Sequence, residues 1–401
     1  MPSTVVIDGP DVWMESEAVR QLESVAHLDG CVRAAGMPDL HPGRGYPIGA
    51  AVACRDVVHP HLVGGDAGCG ARVVVTNVGR VAPDKLERRL RAAFDADPLA
   101  GADAAALFDA AWREGPRALA TLDGVPEELQ RLAARDSGDD GLPPSGDAAP
   151  YRLGFEASLG TIGGGNHFAE VSRAARPVDA ESAAALGLER DSIVALVHSG
   201  SRGLGTALAE AWGMRALRDG DRERYLGELA GACRFARTNR LVLSYRVLSA
   251  LAALRDHRIT GAFDVTHNDV RSEPVAGAGA YVHRKGAAPA PAGALAVVLG
   301  SRGAPSWIVK GTGNETGLGS VAHGAGRKMT RSEAVAKLKD RYRRTELRGG
   351  GRQRVLCDEV SLLYEEHPDA YKAIEPVIAA LETHALATRV AALDPIITVK
   401  L

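Results

Sequence analysis

The spacing of apolar and polar positions changes several times along the chain. In residues 1–80 short apolar runs alternate with turn residues, and AVACRDVV (51–58) and ARVVVTNV (71–78) predict strands. From Asp84 to about Arg135 the apolar positions take helical spacing. APDKLERRLRAAF and PEELQRLAAR are the clearest helices there, the first opened by Pro83 and Asp84. DSIVALVHSGSRG (191–203) predicts a buried strand running into a glycine-rich turn, and residues 224–254 a long helical stretch with an interruption. GAFDVTHNDV (261–270) and ALAVVLGSRG (294–303) predict further strands ending in loops. After Thr330 the pattern is helical through RSEAVAKLKDRYRR and again near the end, before a last strand, PIITVKL. No fixed-period repeat is present. Many short strands mixed irregularly with helices predict an α+β fold, with functional side chains on glycine-rich loops held by a rigid sheet.

Residues 136–150, DSGDDGLPPSGDAAP, have the composition of a mobile loop. They read as part of an insertion rather than a domain linker, because motifs on both sides serve one site.

Composition refines this picture only at points. The chain has 401 residues, 45% hydrophobic and 24% charged, enough for a packed core in a water-soluble protein. Aromatic residues are only 4%, so Ala, Val, Leu and Ile must build that core. The formal net charge of -2 does not advertise nucleic acid, but a local basic groove suffices for phosphates. The five cysteines are odd in number and scattered, the start MPSTVVIDGP lacks a signal-peptide pattern, and no stretch is apolar enough to span a membrane. The expected setting is cytoplasmic, with the cysteines free of disulfides.

Five clusters carry candidate chemistry. GMPDLHPGRGYPIGAAV leads to GGDAGCGAR, where Asp66 and Cys69, three apart in a tight turn, can reach one metal. LGTIGGGNHFAEV places Asn166, His167 and Glu170 after a glycine run. LVHSGSRGLG puts His198 at a strand end before a loop suited to an anion, with Arg202 to neutralise it, although no GxxxxGK[ST] occurs. FDVTHNDV offers His267 and Asn268, and VHRKGA adds His283, Arg284 and Lys285 as a basic motif suited to phosphate. SVAHGAGRKMTR holds His323 among small residues, with Arg327 and Lys328 beside it. Small neighbours admit a bulky ligand, adjacent cations suit a phosphate, and a neutral imidazole is a competent nucleophile toward phosphorus near pH 7. Each cluster has a plainer counterpart: a buried structural Cys, a satisfied core His, an ordinary strand-to-helix turn. Together, carboxylate, thiolate and imidazole ligands suit Mn, Fe, Co or Zn better than Mg or Ca.

In this order, PDLHPGRGYPIG, DAGC, GGGNHFAE, HSGSRGLG, VHRKGA, HGAGR and the terminal ITVKL resemble the RtcB family of RNA-splicing and repair ligases over nearly the whole chain, least across residues 90–150. The resemblance implies a single domain over residues 1–401, with mixed β-sheets flanked by helices and a variable helical, low-complexity insertion at about 84–150. It implies GTP and two Mn2+ ions as cofactors. The substrates would be RNA ends bearing a 2′,3′-cyclic phosphate or 3′-phosphate on one side and a 5′-hydroxyl on the other. It implies Asp66, Cys69, His167, His198 and His267 as metal ligands, Cys69 bridging the two ions. His323 is the implied nucleophile, carrying GMP before its transfer to the RNA 3′-phosphate as an RNA-3′-pp-5′-G intermediate. The implied guanylate pocket comprises Asn166, Phe168, Ala169, Glu170, Asn268, Gly300, Ser301, Arg302, Ser306, Gly324, Ala325, Gly326, Tyr371 and Lys400. Arg202, Arg240 and Arg284 are expected at RNA phosphates. An archease-like or release-factor-like partner is compatible with this reading; a membrane is not.

Three features depart from the common family pattern. Leu401 follows Lys400 in place of Gly, LGSRGAPSW replaces PGSMGTASY, and DAGC replaces DINC. They resemble an accessory, RNA-repair branch. Two other readings compete: a metal-dependent RNA cyclic phosphodiesterase or hydrolase without nucleotidyl transfer, and a non-catalytic RNA-repair-associated binding module. Retention of His323, Lys400 and the serines weighs against the first, and the complete ligand set against the second.

Overall fold

Period-two alternation in neighbouring strands determines the layers of the protein. The structure is a computed structural model that describes residues 3–136, 138, 140–343, 346–348 and 353–400. In the strand Gly70–Thr76, Ala71, Val73 and Val75 enter one apolar core and Val74 another. In Ile193–Ser199, Val194 and Leu196 join the first while Ala195 and Val197 join the second. In Phe168–Ala174 the split is Phe168 and Ala174 against Ala169 and Val171. Such strands are buried on both faces, which is why they read as nearly unbroken apolar runs.

These strands sit in an eight-stranded sheet. Its order is Leu295–Val298, Ser306–Gly311, Ala387–Lys400, Phe168–Ala174, Ile193–Ser199, Gly70–Thr76, Ile259–Thr266, all antiparallel, with Arg354–Cys357 added parallel to the end of Ala387–Lys400. One face packs on helices; the other packs on a five-stranded sheet through Ala35, Met37, Ala51, Ala53 and Val282. The outer face of that second sheet is covered by the helix Ser16–Ala26 through Ala18, Leu22 and Val25. The α+β expectation therefore holds, as four layers: helices, sheet, sheet, helix.

The helical layer centres on Asp219–Ala250, 32 residues and, at 1.5 Å per residue, about 48 Å long. The expected interruption is absent; no proline or bulge breaks the helix, and most of its circumference is buried. The helices Pro83–Asp95, Ala104–Glu114 and Glu127–Ala134 pack around it. Asp103 caps the second of these, its carboxylate accepting from Ala106 N at 2.7 Å. Trp112 lies directly on Gly231, where a Cβ would come within 2.1 Å of the indole, so even alanine there would push the helices apart.

The low-complexity loop differs from expectation. Ser137 and Asp139 lie outside the described residues, but the rest of the loop is pinned. Asp136 meets Arg72 at 3.1 Å, Asp140 meets Arg234 at 2.9 Å, and Trp112 Nε1 donates to Gly146 O at 2.8 Å. Composition suggested mobility because acids and glycines cannot form a core; here the acids find buried arginines on the long helix and on a strand.

Candidate active site

Register brings the expected metal ligands together. Phe168 pairs with His198, and Gly70 pairs with both Ser199 and Thr266. Antiparallel neighbours starting at 70 and 168 and ending at 199 and 266 all terminate at one edge of the sheet. Cys69, His167, His198 and His267 are the residues at or beside those four ends, so strand pairing alone makes them converge.

The convergence is close. Cys69 Sγ lies 3.4 Å from His167 Nε2 and 3.4 Å from His198 Nε2, and His198 Nε2 lies 3.3 Å from His267 Nε2. Asp66 Oδ2 is 2.8 Å from His167 Nε2. Cys69, His167 and His198 form a buried group able to hold a metal ion. His198 Nδ1 donates to Asn166 O at 3.1 Å, which leaves the Nε2 lone pair facing the centre, as a metal-ligating imidazole requires. Burial, reinforced by neighbouring imidazoles, holds His198 and His267 well below their usual range, so both are in the neutral, ligating form. Burial, together with the Asp66 carboxylate, pushes the Cys69 thiol well up, a cost that a dication between these donors would reverse. Cys69, His167 and His198 share one centre, with His267 Nε2 and Asp66 Oδ2 each within hydrogen-bond reach of one of these histidines, and a thiol, three imidazoles and a carboxylate so placed fit one or more divalent ions.

His323 adjoins this group, its ring 4.9 Å from that of His267. It follows the strand Ser320–Ala322, and its Nδ1 lies 2.6 Å from the buried Asp39 Oδ2. The proton on Nδ1 is thereby donated to Asp39 and the Nε2 lone pair is left free. Gly326, at φ +75°, permits this approach: a Cβ there would lie 2.3 Å from Asp39 O.

Both groups open into one cavity of about 1360 Å³, more than a single nucleotide fills. Of the expected residues, Asp66, Cys69, Asn166, His167, Phe168, Glu170, His198, Arg202, His267, Asn268, Gly300, Ser301, Arg302, Ser306, His323, Gly324, Ala325, Gly326, Tyr371 and Lys400 all line it. Glu170 is buried and accepts from Ser172 Oγ at 2.8 Å and Thr398 Oγ1 at 2.5 Å; burial raises its carboxyl to about 7. Lys400 Nζ donates to Gly165 O at 2.8 Å and His167 O at 2.9 Å, and burial lowers its pKa despite Glu366. Asn268 ties the two halves, donating to Asp66 O at 3.0 Å and accepting from Gly286 N at 2.8 Å. Tyr371 is held by Glu366 and Arg327. Arg202 keeps a positive φ of 61° and its N–H donates to Asp66 Oδ1 at 2.6 Å.

Three expectations are corrected. The Ala169 side chain belongs to the helix-facing core, because it follows the cavity-facing Phe168 on a strand. Arg240 is fully buried and bidentate to Asp264 at 2.6 and 2.9 Å, so it cannot reach RNA. Arg284 is likewise buried, paired with Glu273 at 2.6 and 2.8 Å and bonded to Ser320 Oγ at 2.9 Å. Their neighbour His283 is spent on Val52 O and His59 N, and of the VHRKGA cations only Lys285 lines the cavity, its pKa lowered by burial to about 8. The sequence reading also passed over Asp39 and Glu366, which hold His323 and Tyr371. Asp39 carried a signal, an acid within the quoted PDLHPG run, that no neighbour in sequence explained.

Comparison with known proteins now decides the family. The family described as "tRNA-splicing ligase RtcB" matches residues 21–223 and 216–401. The chain belongs to the RtcB family of RNA ligases. It is 38% identical to the RNA-splicing ligase RtcB2 of Escherichia coli, over 98% of this chain and 94% of that one. It is 31% identical to the RNA-splicing ligase RtcB of Mycobacterium tuberculosis, over 95% and 100%. Against the tRNA-splicing ligase RtcB of Archaeoglobus fulgidus the identity is 28%, over 96% and 91%. Among the described residues no helix is long and apolar enough to cross a membrane.

Proposed function

We propose that this RtcB-family protein seals RNA ends bearing a 2′,3′-cyclic phosphate or 3′-phosphate to 5′-hydroxyl ends, using GTP and Mn2+, with the whole chain acting as one catalytic unit. The observation that carries this reading is the placement of His323. Its Nδ1 proton is fixed by Asp39 and its ring abuts a cluster of metal-ligand type. A histidine with one nitrogen held by a carboxylate and the other left free beside such a cluster suits a nucleophile toward phosphorus.

In this reading Asp66, Cys69, His167, His198 and His267 hold manganese, which when bound neutralises phosphate charge during displacement. His323 Nε2 attacks the α-phosphorus of GTP. The N–P bond forms and pyrophosphate leaves, while the Nδ1–H stays bonded to Asp39, which stabilises the charge spreading into the ring. The RNA 3′-phosphate oxygen then takes the guanylate from His323, and the 5′-hydroxyl oxygen attacks the 3′-phosphorus and expels GMP. A cyclic phosphate is opened by water beforehand. Glu170 and Lys400 face the base, Tyr371 stacks on it, and Arg202 meets RNA phosphate.

Incubation with α-labelled GTP and Mn2+, followed by denaturing electrophoresis, tests the proposal. An acid-labile, alkali-stable label on the protein is expected. Metal-bound protein that takes no label but opens cyclic phosphate ends would replace ligation with hydrolysis.

A further inference from the structure

We propose that Arg240 is a positioning residue that sets the metal site by holding three ligand-bearing strand ends at once. The inference rests on the metal-dependent reading above. Arg240 lies on the long helix Asp219–Ala250, behind the sheet. Its Nη1 donates to Gly68 O at 2.7 Å and to Ser199 O at 2.9 Å, and its Nη2 to Thr266 Oγ1 at 3.2 Å. Gly68 precedes Cys69, Ser199 follows His198, and Thr266 precedes His267. One buried guanidinium therefore touches the chain neighbour of three metal-ligand candidates.

The physical logic lies in what a strand end lacks. Where a ladder stops, carbonyls lose their partners, and buried carbonyls must find others. A planar five-donor fork satisfies several in fixed directions, which a flexible ammonium cannot. Asp264 holds the fork through Nε and Nη2, leaving Nη1 for the two carbonyls. Asp264 and Thr266 are two apart on one strand and so present their side chains to the same, helix-facing side. The adjacent Asn239 works alongside, accepting from Gly160 N at 2.7 Å and donating to Ser199 Oγ at 3.0 Å. Ligand side chains leave the sheet edge toward the cavity, and Arg240 grips the same edge from behind.

The test is Mn2+ affinity, measured alone by competition with a chromophoric chelator on the full chain, with thermal unfolding recorded in parallel. Arg240→Lys keeps the charge but cannot span three ends; it should weaken Mn2+ binding on the order of 10–100-fold, as loss of an outer partner of metal ligands does. Thr266→Val removes one contact without changing shape and should weaken binding roughly 2- to 10-fold, part of the worth of one hydrogen bond from a charged donor, because Asp264 and the two carbonyls still hold the fork. Arg234→Lys is the control, a buried arginine on the same helix that pairs with Asp140 and touches no ligand neighbour; it should lower the melting temperature and leave Mn2+ affinity unchanged. Wild-type affinity in both Arg240→Lys and Thr266→Val overturns the inference, as does an equal loss in Arg234→Lys. If Arg240→Lys does not fold, Thr266→Val decides alone. Failure of the wild-type chain to bind Mn2+ would instead overturn the metal reading on which the inference stands.

Discussion

Asp39 Oδ2 and His323 Nδ1 lie 2.6 Å apart across a sequence separation of 284 residues, and this contact fixes which nitrogen of His323 is free. Asp39→Asn should preserve the contact while reversing the preferred tautomer. The rate of covalent labelling by α-labelled GTP should fall on the order of 10³- to 10⁴-fold, by analogy with the carboxylate–histidine pair of serine proteases. A rate within a few fold of wild type would show that the contact is structural only.

His323→Ala should abolish the label and leave Mn2+ stoichiometry intact, since the imidazole is adjacent to the ligand group but outside it. Labelling that survives the substitution assigns the nucleophile elsewhere.

Cys69 sits 3.4 Å from two histidine Nε2 atoms. Cys69→Ala should lose bound metal and activity together, whereas removal of an ordinary buried thiol costs only packing. Elemental analysis of the purified variant reads this directly, and treatment of wild type with EDTA should mimic it reversibly. Full metal occupancy in the variant would remove the thiolate from the site.

Glu170 supplies a pH dependence with a definite sign. Burial raises its carboxyl to about 7, above the unfolded value of 4.5, so the folded state binds the extra proton between those pH values. Its contribution to stability is therefore largest at low pH and is lost as pH rises through about 7, by up to about 3 kcal/mol. Without nucleotide, Glu170→Gln should flatten the decline in melting temperature between pH 4.5 and 7. Parallel curves for the two proteins would contradict the assignment.

Lys400 and Glu170 face the same part of the cavity, and Lys400→Ala should erode preference for GTP over ATP more than it slows label formation. Unchanged discrimination in competition labelling would mean that the base is read by other groups.

The sequence made much of this site legible because its chemistry sits in short, unusual runs at strand ends, where glycine and polar residues interrupt apolar patterning. His198 ends a run of Ile, Val, Ala and Leu, and its candidacy as a metal ligand follows from that position. What stayed hidden depends on partners distant in sequence. Asp39 gains meaning only beside His323. Arg240 and Arg284 resemble phosphate binders until Asp264 and Glu273 are seen to claim them. The low-complexity loop resembles a mobile segment until Arg234 and Arg72 are placed against it. The long helix reads as interrupted because its polar residues, Glu228, Arg234 and Arg240 among them, look exposed, yet each is buried with a partner.

Building the ligand group on the ends of four antiparallel strands also has a consequence for how the chain comes to be folded. Slippage of Ile193–Ser199 by one residue against its neighbours would turn His198 to the helix-facing side and scatter the donors. No short fragment carries the whole group, since Cys69, His167, His198 and His267 must first be gathered by pairings between distant segments. Such pairings form slowly. A divalent ion that binds only the completed group would favour the correctly registered chain by mass action, so the same cation would serve as catalyst and as arbiter of strand register.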